Sequence, residues 1–528
     1  MGCLSLQAAF SRREEYKMKV KSKKQDRIPG IVISLILFVI ECAFLVLLLY
    51  TKLISVKYIG IIAAGLLLLL VIVYFLVRKI RKPVPFCIGV VLVLLITVVL
   101  GLASLYIYKT VSTLDSITGV NQEYTEINVY VKQDDKAQKL ADVSGYTFGI
   151  LGELDRTNTD AALKQVYNEL GTDVQTAEYA GLGELADALN HGTCGAILLN
   201  KAYLDVIAEM DQYGSFSSQI REIASLKVAT VVERNTPAAQ QPSSAEKEQT
   251  SSDTSAKDDA VTDEVYTIFV SGIDTRGGMT ASSRSDVNII LTLNATTKQI
   301  LMVSTPRDYF VPLSISNGVP DKLTHAGIYG VNVCMDTLDM LYDIDINYYF
   351  RLNFAGFEQI IDALGGVTVN SDYDFDSGNT TGYHFNKGEN HLNGEQALVF
   401  ARERYAFKEG DRQRGRDQMA VIQGVVDKAT QPAFLKNYLS VLDSLDGAFE
   451  TNVPYDVMAS LVRKQLDEGG TWQVLSYSVD GTGDTQKPYS MSSKAYVMIP
   501  DQNTVDKAKV LMKKVREGFR LSEADVAR

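Results

Sequence analysis

Three apolar runs in the first 110 residues constrain this chain more than anything else in it: residues 31–50, 59–77 and 84–107. Each is close to the ~20 residues that carry a helix across a ~30 Å hydrocarbon core. Glu41 is the one ionisable side chain inside them, and it is expected to face the neighbouring helices instead of lipid. A cleaved leader would be a single shorter stretch, so all three runs are expected to be retained membrane spans.

Charge then orients them. The tail at 1–30 carries eight Lys/Arg against three acidic residues, and the second loop adds Arg78, Lys79, Arg81 and Lys82. The first loop has Lys52 and Lys57, and the chain after the third span turns acidic with Asp115, Glu123, Glu126, Asp134 and Asp135. Lys/Arg-rich loops stay on the cytoplasmic side. The expected arrangement is therefore a multi-pass protein of the cell membrane, with a cytoplasmic N-terminus and everything beyond about residue 110 outside. The sequence starts Met1-Gly2-Cys3, but Leu6 breaks the myristoylation pattern, and Met18 opens a more ordinary basic tail. The whole chain has 52 Lys/Arg against 63 Asp/Glu, a net charge of −11, and the excess of acid lies in the outer part. An acidic ectodomain has no phosphate-binding face for nucleic acid. Five scattered cysteines, with no C-x-x-C pair, make neither a disulfide scaffold nor a zinc site.

Residues 235–260 contain Ala as their only apolar type and cannot bury enough surface to order themselves. A flexible linker or long loop at 234–261 thus separates an accessory domain at 112–233 from a larger domain at 262–528. The accessory segment alternates strand (146–151), helix (160–170), strand (173–179), helix (184–189) and strand (195–199), the pattern of a small α/β unit with parallel strands. Its GLGELA (181–186) fits a dinucleotide fingerprint, but no strong apolar strand leads into it, so a turn into a helix is expected. The larger domain reads as mixed α/β: strands at 265–274, 286–293, 300–304 and 348–354, a helical stretch at 323–342, and a helix at 357–364 stopped by Gly365-Gly366. The 300–304 strand, apolar on both faces, is expected to be internal.

Four polar clusters interrupt this domain where strands end. GIDTR (272–276) closes one strand and RSDVN (284–288) opens the next, so Asp274 and Asp286 meet at one sheet edge, where two carboxylates suit Mg²⁺. TPRD (305–308) follows the internal strand and delivers Arg307 to the place where open α/β sheets bind ligands. ARERY (401–405) precedes GDRQRGRDQ (410–418). Arg402 and Arg404 share a face only if that segment is extended, because on a helix they would diverge by about 200°. Helical spacing puts Arg414, Gln418, Val421 and Val425 on one inward stripe and leaves Arg412 and Arg416 on the solvated side. An inward arginine needs a partner. Internal acids such as Asp308, Glu403 or Asp411 would serve one at a time. One anionic ligand shared by Arg284, Arg307, Arg402, Arg404 and Arg414 is simpler, and a set of guanidinium forks fits a pyrophosphate better than one carboxylate.

At GIDTR, RSDVN, TPRD, LTHAGIYG (323–330), NGEQALVFARERY (393–405) and GDRQRGRDQ the chain resembles the LytR-CpsA-Psr family, in particular its capsule-associated branch. The resemblance implies three spans, an accessory domain and a phosphotransferase domain built on a central sheet flanked by helices. It implies transfer of a glycopolymer, here capsular polysaccharide, from a polyprenyl-pyrophosphate carrier to peptidoglycan through a phosphodiester. The implied partners are the carrier-linked glycan, the peptidoglycan acceptor, the membrane and other capsule-assembly proteins. Carried over by position, Asp274 and Asp286 would hold Mg²⁺ (or Mn²⁺). Arg284, Arg307, Arg402, Arg404, Arg414 and Gln418 would grip the pyrophosphate, and Arg284, Arg307 and Asp286 would be catalytic. Leu352, Phe354, Phe357, Ile360 and Ile361 are candidates for a tunnel around the prenyl tail. A rival reading gives the same pocket to a regulator of polysaccharide synthesis that binds polyprenyl phosphate without turnover.

Overall fold

The computed structural model describes residues 28–78, 83–118, 122–231, 265–273, 283–431, 441 and 447–527. The basic tail up to residue 27, the whole of the expected linker, and Asp274 and Arg276 therefore lie outside the described residues. The chain divides into two compact units, one of residues 1–115 with 454–470 and one of 116–453 with 471–528.

In the first unit the three apolar runs form helices α1 (Ile28–Thr51), α2 (Val56–Val77) and α3 (Pro83–Thr118), all long and apolar enough to cross a membrane. They meet through Leu37, Phe44, Leu48, Leu66, Val73, Val77 and Ile96, while Leu35, Leu68, Val91 and Leu95 point outward. Glu41 is turned into the bundle, 3% exposed.

The accessory domain, the first part of the second unit, is a five-stranded sheet. Its strands are β1 (Gln122–Lys132), β2 (Thr147–Leu151), β3 (Gln175–Tyr179), β4 (Ala196–Asn200) and β5 (Ile220–Val231), in the order β3-β2-β4-β1-β5. β2 runs parallel to β3 and β4, as the alternating pattern predicts; β1 pairs antiparallel with both β4 and β5. GLGELA is a helix start and no more: Gly181 precedes the helix Leu182–Asn190, and the strand before it is a mostly exposed edge. A short helix, α4 (Tyr203–Ala208), buries Tyr203, Val206 and Ile207 against this sheet and ends at Glu209.

The larger domain is built on strands β6 (Val265–Ile273), β7 (Ser285–Asn294), β8 (Gln299–Ser304) and β9 (Tyr348–Leu352), extended at the edges by Phe449–Thr451 and Gln473–Ser478. β9 is parallel to β6, and β7 is antiparallel to both β6 and β8. The carboxyl ends of β6, β8 and β9 and the amino end of β7 therefore share one edge. β8 is internal and wholly buried: Leu301 and Val303 join the core on one face, and Ile300 and Met302 join the core on the other.

Two expectations are corrected here. The helical stretch at 323–342 is two pieces, a 3-10 segment Leu323–Tyr329 and a helix Val331–Tyr342, broken at Gly330. Gly330 has φ +108°, and a Cβ there would lie 2.6 Å from a Glu123 oxygen; that same oxygen accepts from Val331 N at 3.1 Å. The second helix starts three residues earlier than its periodicity suggests, as α5 (Phe354–Ala363), because the Asn353 side chain accepts from Gly356 N and caps it. Asn at that position is a strong helix start.

Candidate active site

The shared sheet edge opens onto a cavity of about 250 Å³. Its apolar wall is Val270, Ile273 and Val287 from the sheet, Leu352, Phe354 and Phe357 around the start of α5, and Leu398, Ala401 and Ile422. Its polar wall is Asp286, Arg307, Arg402, Arg404, Arg414 and Gln418, with Asn379 and Thr380. An oily pocket with convergent arginines at one end suits a ligand that is anionic at the head and apolar behind it.

Two further helices place the arginines. The first, α6 (Gly394–Arg402), has Asn393 and Gln396 as a reciprocal capping box and stops at Arg402, since Glu403 is extended (φ −67°, ψ 134°). This break puts Arg402 and Arg404 on one wall, as the alternative to a continuous helix requires. Arg402 stacks on Phe354 at 4.2 Å, and Arg404 stacks on Tyr405 at 4.8 Å. Glu403 points the other way, fully buried, and accepts from Ser377 Oγ at 2.6 Å and from the amides of Asn379, Arg404, Tyr405 and Ala406 at 2.7–3.1 Å. Burial pushes its pKa up, but these donors outweigh it and hold the carboxyl below the ordinary range. A depressed folded pKa gives stability that is present above the unfolded pKa and lost as pH falls through the folded one. Glu403→Ala is expected to cost about 2–4 kcal/mol, because it orphans buried amides. A chemical denaturation series from pH 7 down to pH 3 checks this: the wild type should converge on the variant at the acid end.

The second, α7 (Asp411–Ala429), carries Arg414 and Val421 inward as the stripe predicts, with Gln418 donating to Ala401 O at 3.3 Å. It approaches β8 closely at Gly415, where a Cβ would lie 2.7 Å from Ser304 Oγ. Arg412 and Arg416, expected to be solvated, are both engaged: Arg412 pairs with Asp480 at 2.6 Å and Arg416 donates to Gln413 at 2.7 Å. A loop carrying Asp480 covers Arg412, which the helix's own periodicity could not reveal, while Arg416 is held by Gln413 of the same helix.

Arg307 is the centre of the charge cluster. Its side chain is 11% exposed, Nη1 lies 2.7 Å from Asp286 Oδ2, and Asp308 is 3.9 Å from its Nε. Burial opposes its charge, but Asp286, Asp308, Asp411 and Glu209 more than compensate and raise its pKa. The Nε atoms of Arg307 and Arg414 are buried and have no hydrogen-bond acceptor among the described residues. Asp411 pairs with Arg414; burial pushes its pKa up, with Asp308 and Asp286 adding to the shift against Arg414 and Arg307. Asp286 Oδ1 accepts from Thr324 Oγ1 at 3.0 Å.

Several expected site residues lie elsewhere. Arg284 is not on the cavity wall; it is ion-paired with Glu209 of the accessory domain. Ile361 is buried in the core with Leu364, Val367 and Phe400, and Ile360 packs against that core and against Phe449, so neither lines the cavity. Asp308, one of the internal acids that could serve an arginine, lies off the wall, 3.9 Å from Arg307 and 3.5 Å from Lys322. Lys322 and Glu209 are additions that no periodicity or motif spacing singled out.

Residues 228–514, more than half of the chain, match the LytR_cpsA_psr family. The chain is 37% identical over 196 residues to the polyisoprenyl-teichoic acid–peptidoglycan teichoic acid transferase TagU of Bacillus cereus, covering 37% of this chain and 62% of that protein. It is 34% identical over 225 residues to the enzyme of the same name from Enterococcus faecalis, covering 42% of this chain and 72% of that one. The match thus spans a little under two thirds of the Bacillus relative. Among solved structures, B. subtilis TagV is similar at 27% identity with a TM-score of 0.41, over 49% of this chain and 100% of that one. With more than half its length matched, the chain belongs to the LytR_cpsA_psr family.

Proposed function

We propose that this protein is a membrane-anchored phosphotransferase, its large domain outside the cell, that moves a glycopolymer from a polyprenyl-pyrophosphate carrier to peptidoglycan. The polymer we assign is capsular polysaccharide. One observation carries the reading: Arg307, Arg402, Arg404 and Arg414 line one cavity together with an apolar wall. Guanidinium groups from separate stretches suit a diphosphate, and the aliphatic and aromatic wall suits the start of a prenyl tail. The names of the relatives, transferases from a polyisoprenyl-linked polymer to peptidoglycan, agree with that chemistry.

In the reaction an acceptor sugar hydroxyl attacks the phosphorus nearest the glycan. The bond from that phosphorus to the bridging oxygen breaks, polyprenyl phosphate leaves, and the glycan stays joined to the acceptor through one phosphate. Arg307, Arg402, Arg404 and Arg414 neutralise charge on the oxygens during transfer. The hydroxyl proton goes to Asp286, which lines the cavity where Asp308 does not. A divalent cation is compatible with Asp286: Arg307 and Thr324 take one lone pair on each oxygen and leave others free. Mg²⁺ held there, with Asp274 as a second ligand, would supply further positive charge to the phosphate oxygens.

Full-length protein in detergent, given a polyprenyl-pyrophosphate oligosaccharide, peptidoglycan fragments and Mg²⁺, should release polyprenyl phosphate. Binding without release would make it a sensor instead. Leu352→Trp should fill the apolar wall and weaken binding of a long prenyl pyrophosphate about tenfold, the burial of two methylenes. Titration calorimetry should show inorganic pyrophosphate binding unchanged in that variant.

A further inference from the structure

The accessory domain reaches into the charge cluster. Glu209, directly after α4, pairs with Arg284; its Oε2 accepts from Lys322 Nζ at 3.0 Å, and its Oε1 lies 3.8 Å from Arg307. Asp205 adds a second acid 3.7 Å from Arg284. One carboxylate thus sits among three cations drawn from three separate stretches of the larger domain, and Lys322 and Arg284 are only 7% and 14% exposed. Burial pushes the Glu209 pKa up, but Lys322 and Arg284 outweigh it and hold the carboxyl below its ordinary range, so it stays ionised. The buried Tyr203, Val206 and Ile207 fix α4 on the accessory core, so the reach of this carboxylate is set by that domain's own packing. A carboxylate meets a guanidinium fork as a phosphate does. Arg307 faces the cavity while Arg284 is turned to Glu209.

Building on the phosphotransferase reading, we propose that Glu209 is a built-in anionic competitor. In the free chain it occupies the place at Arg284 and Lys322 that a phosphate of the donor takes, and donor binding displaces it. The accessory domain thereby sets the threshold at which the donor enters.

The test is calorimetric titration of inorganic pyrophosphate into full-length protein in detergent micelles. Glu209→Gln is expected to tighten binding about fivefold, the scale of one partly exposed ion pair. Glu209→Asp, with a shorter side chain, should fall between it and wild type. The gain should vanish when Arg284→Ala is added. A merely structural bridge would behave oppositely, since its removal loosens Arg284 and weakens binding. Unchanged or weaker binding in Glu209→Gln, with Arg307→Ala weakening binding as expected, overturns the competitor and leaves the phosphotransferase reading standing. Full binding in Arg307→Ala overturns that reading and the competitor with it.

Discussion

Alanine at Arg307 should lower polyprenyl phosphate release by about 10²–10³-fold, the cost of one preorganised donor at developing charge. The expectation rests on position: the guanidinium is nearly buried, bonded to Asp286 at 2.7 Å, and on the wall of the cavity. The loss should appear in both KM and kcat, because the same group grips the bound diphosphate and meets the transferring phosphate. Arg307→Lys should not restore activity, since an ammonium gives one point charge where a two-pronged fork is needed. Steady-state kinetics of the purified variants, with thermal melts to confirm that they fold, measure both effects.

The second large effect concerns stability. Arg351 on β9 is 3% exposed and lies between Glu450, at 2.7 Å, and Glu123 of β1. It ties the accessory sheet to the larger one. Replacing it with Met leaves two carboxylates buried and unpaired, which should cost about 3–5 kcal/mol. Burial already pushes the Glu450 pKa up with Arg351 present, and removing the cation should push it further. A carboxyl whose folded pKa is raised costs stability as pH rises above its unfolded value. The deficit of Arg351→Met in chemical denaturation should therefore grow from pH 4 to pH 7, and adding Glu450→Gln should recover part of it.

Much of this architecture was legible in the chain because it rests on periodicity and composition. The three spans, the strands β6, β7 and β8, and the meeting of Arg307 and Asp286 at one edge all follow from local pattern. The placement of Arg402 and Arg404 was legible as a condition, and the extended Glu403 meets it through five hydrogen bonds to its buried carboxylate. What escaped depends on contacts distant in sequence. The break at Gly330 is dictated by Glu123, some two hundred residues away. Arg412 is claimed by Asp480 from a later loop, and Arg284 by an acid of the other domain. Ile361 is apolar like Phe357, and the direction of its helix face separates core from cavity wall. Such pairings leave no trace in spacing, because each partner looks locally like an ordinary solvated charge or an ordinary apolar residue.

The fate of one phosphorus atom tests the central claim most directly. A carrier-linked glycan labelled with ³²P at the phosphate nearest the sugar, incubated with full-length protein and peptidoglycan, should deliver the label to the peptidoglycan while the second phosphate stays on the lipid. Label that remains with the lipid, whether the glycan has moved or not, would contradict phosphoryl transfer by this arginine cluster.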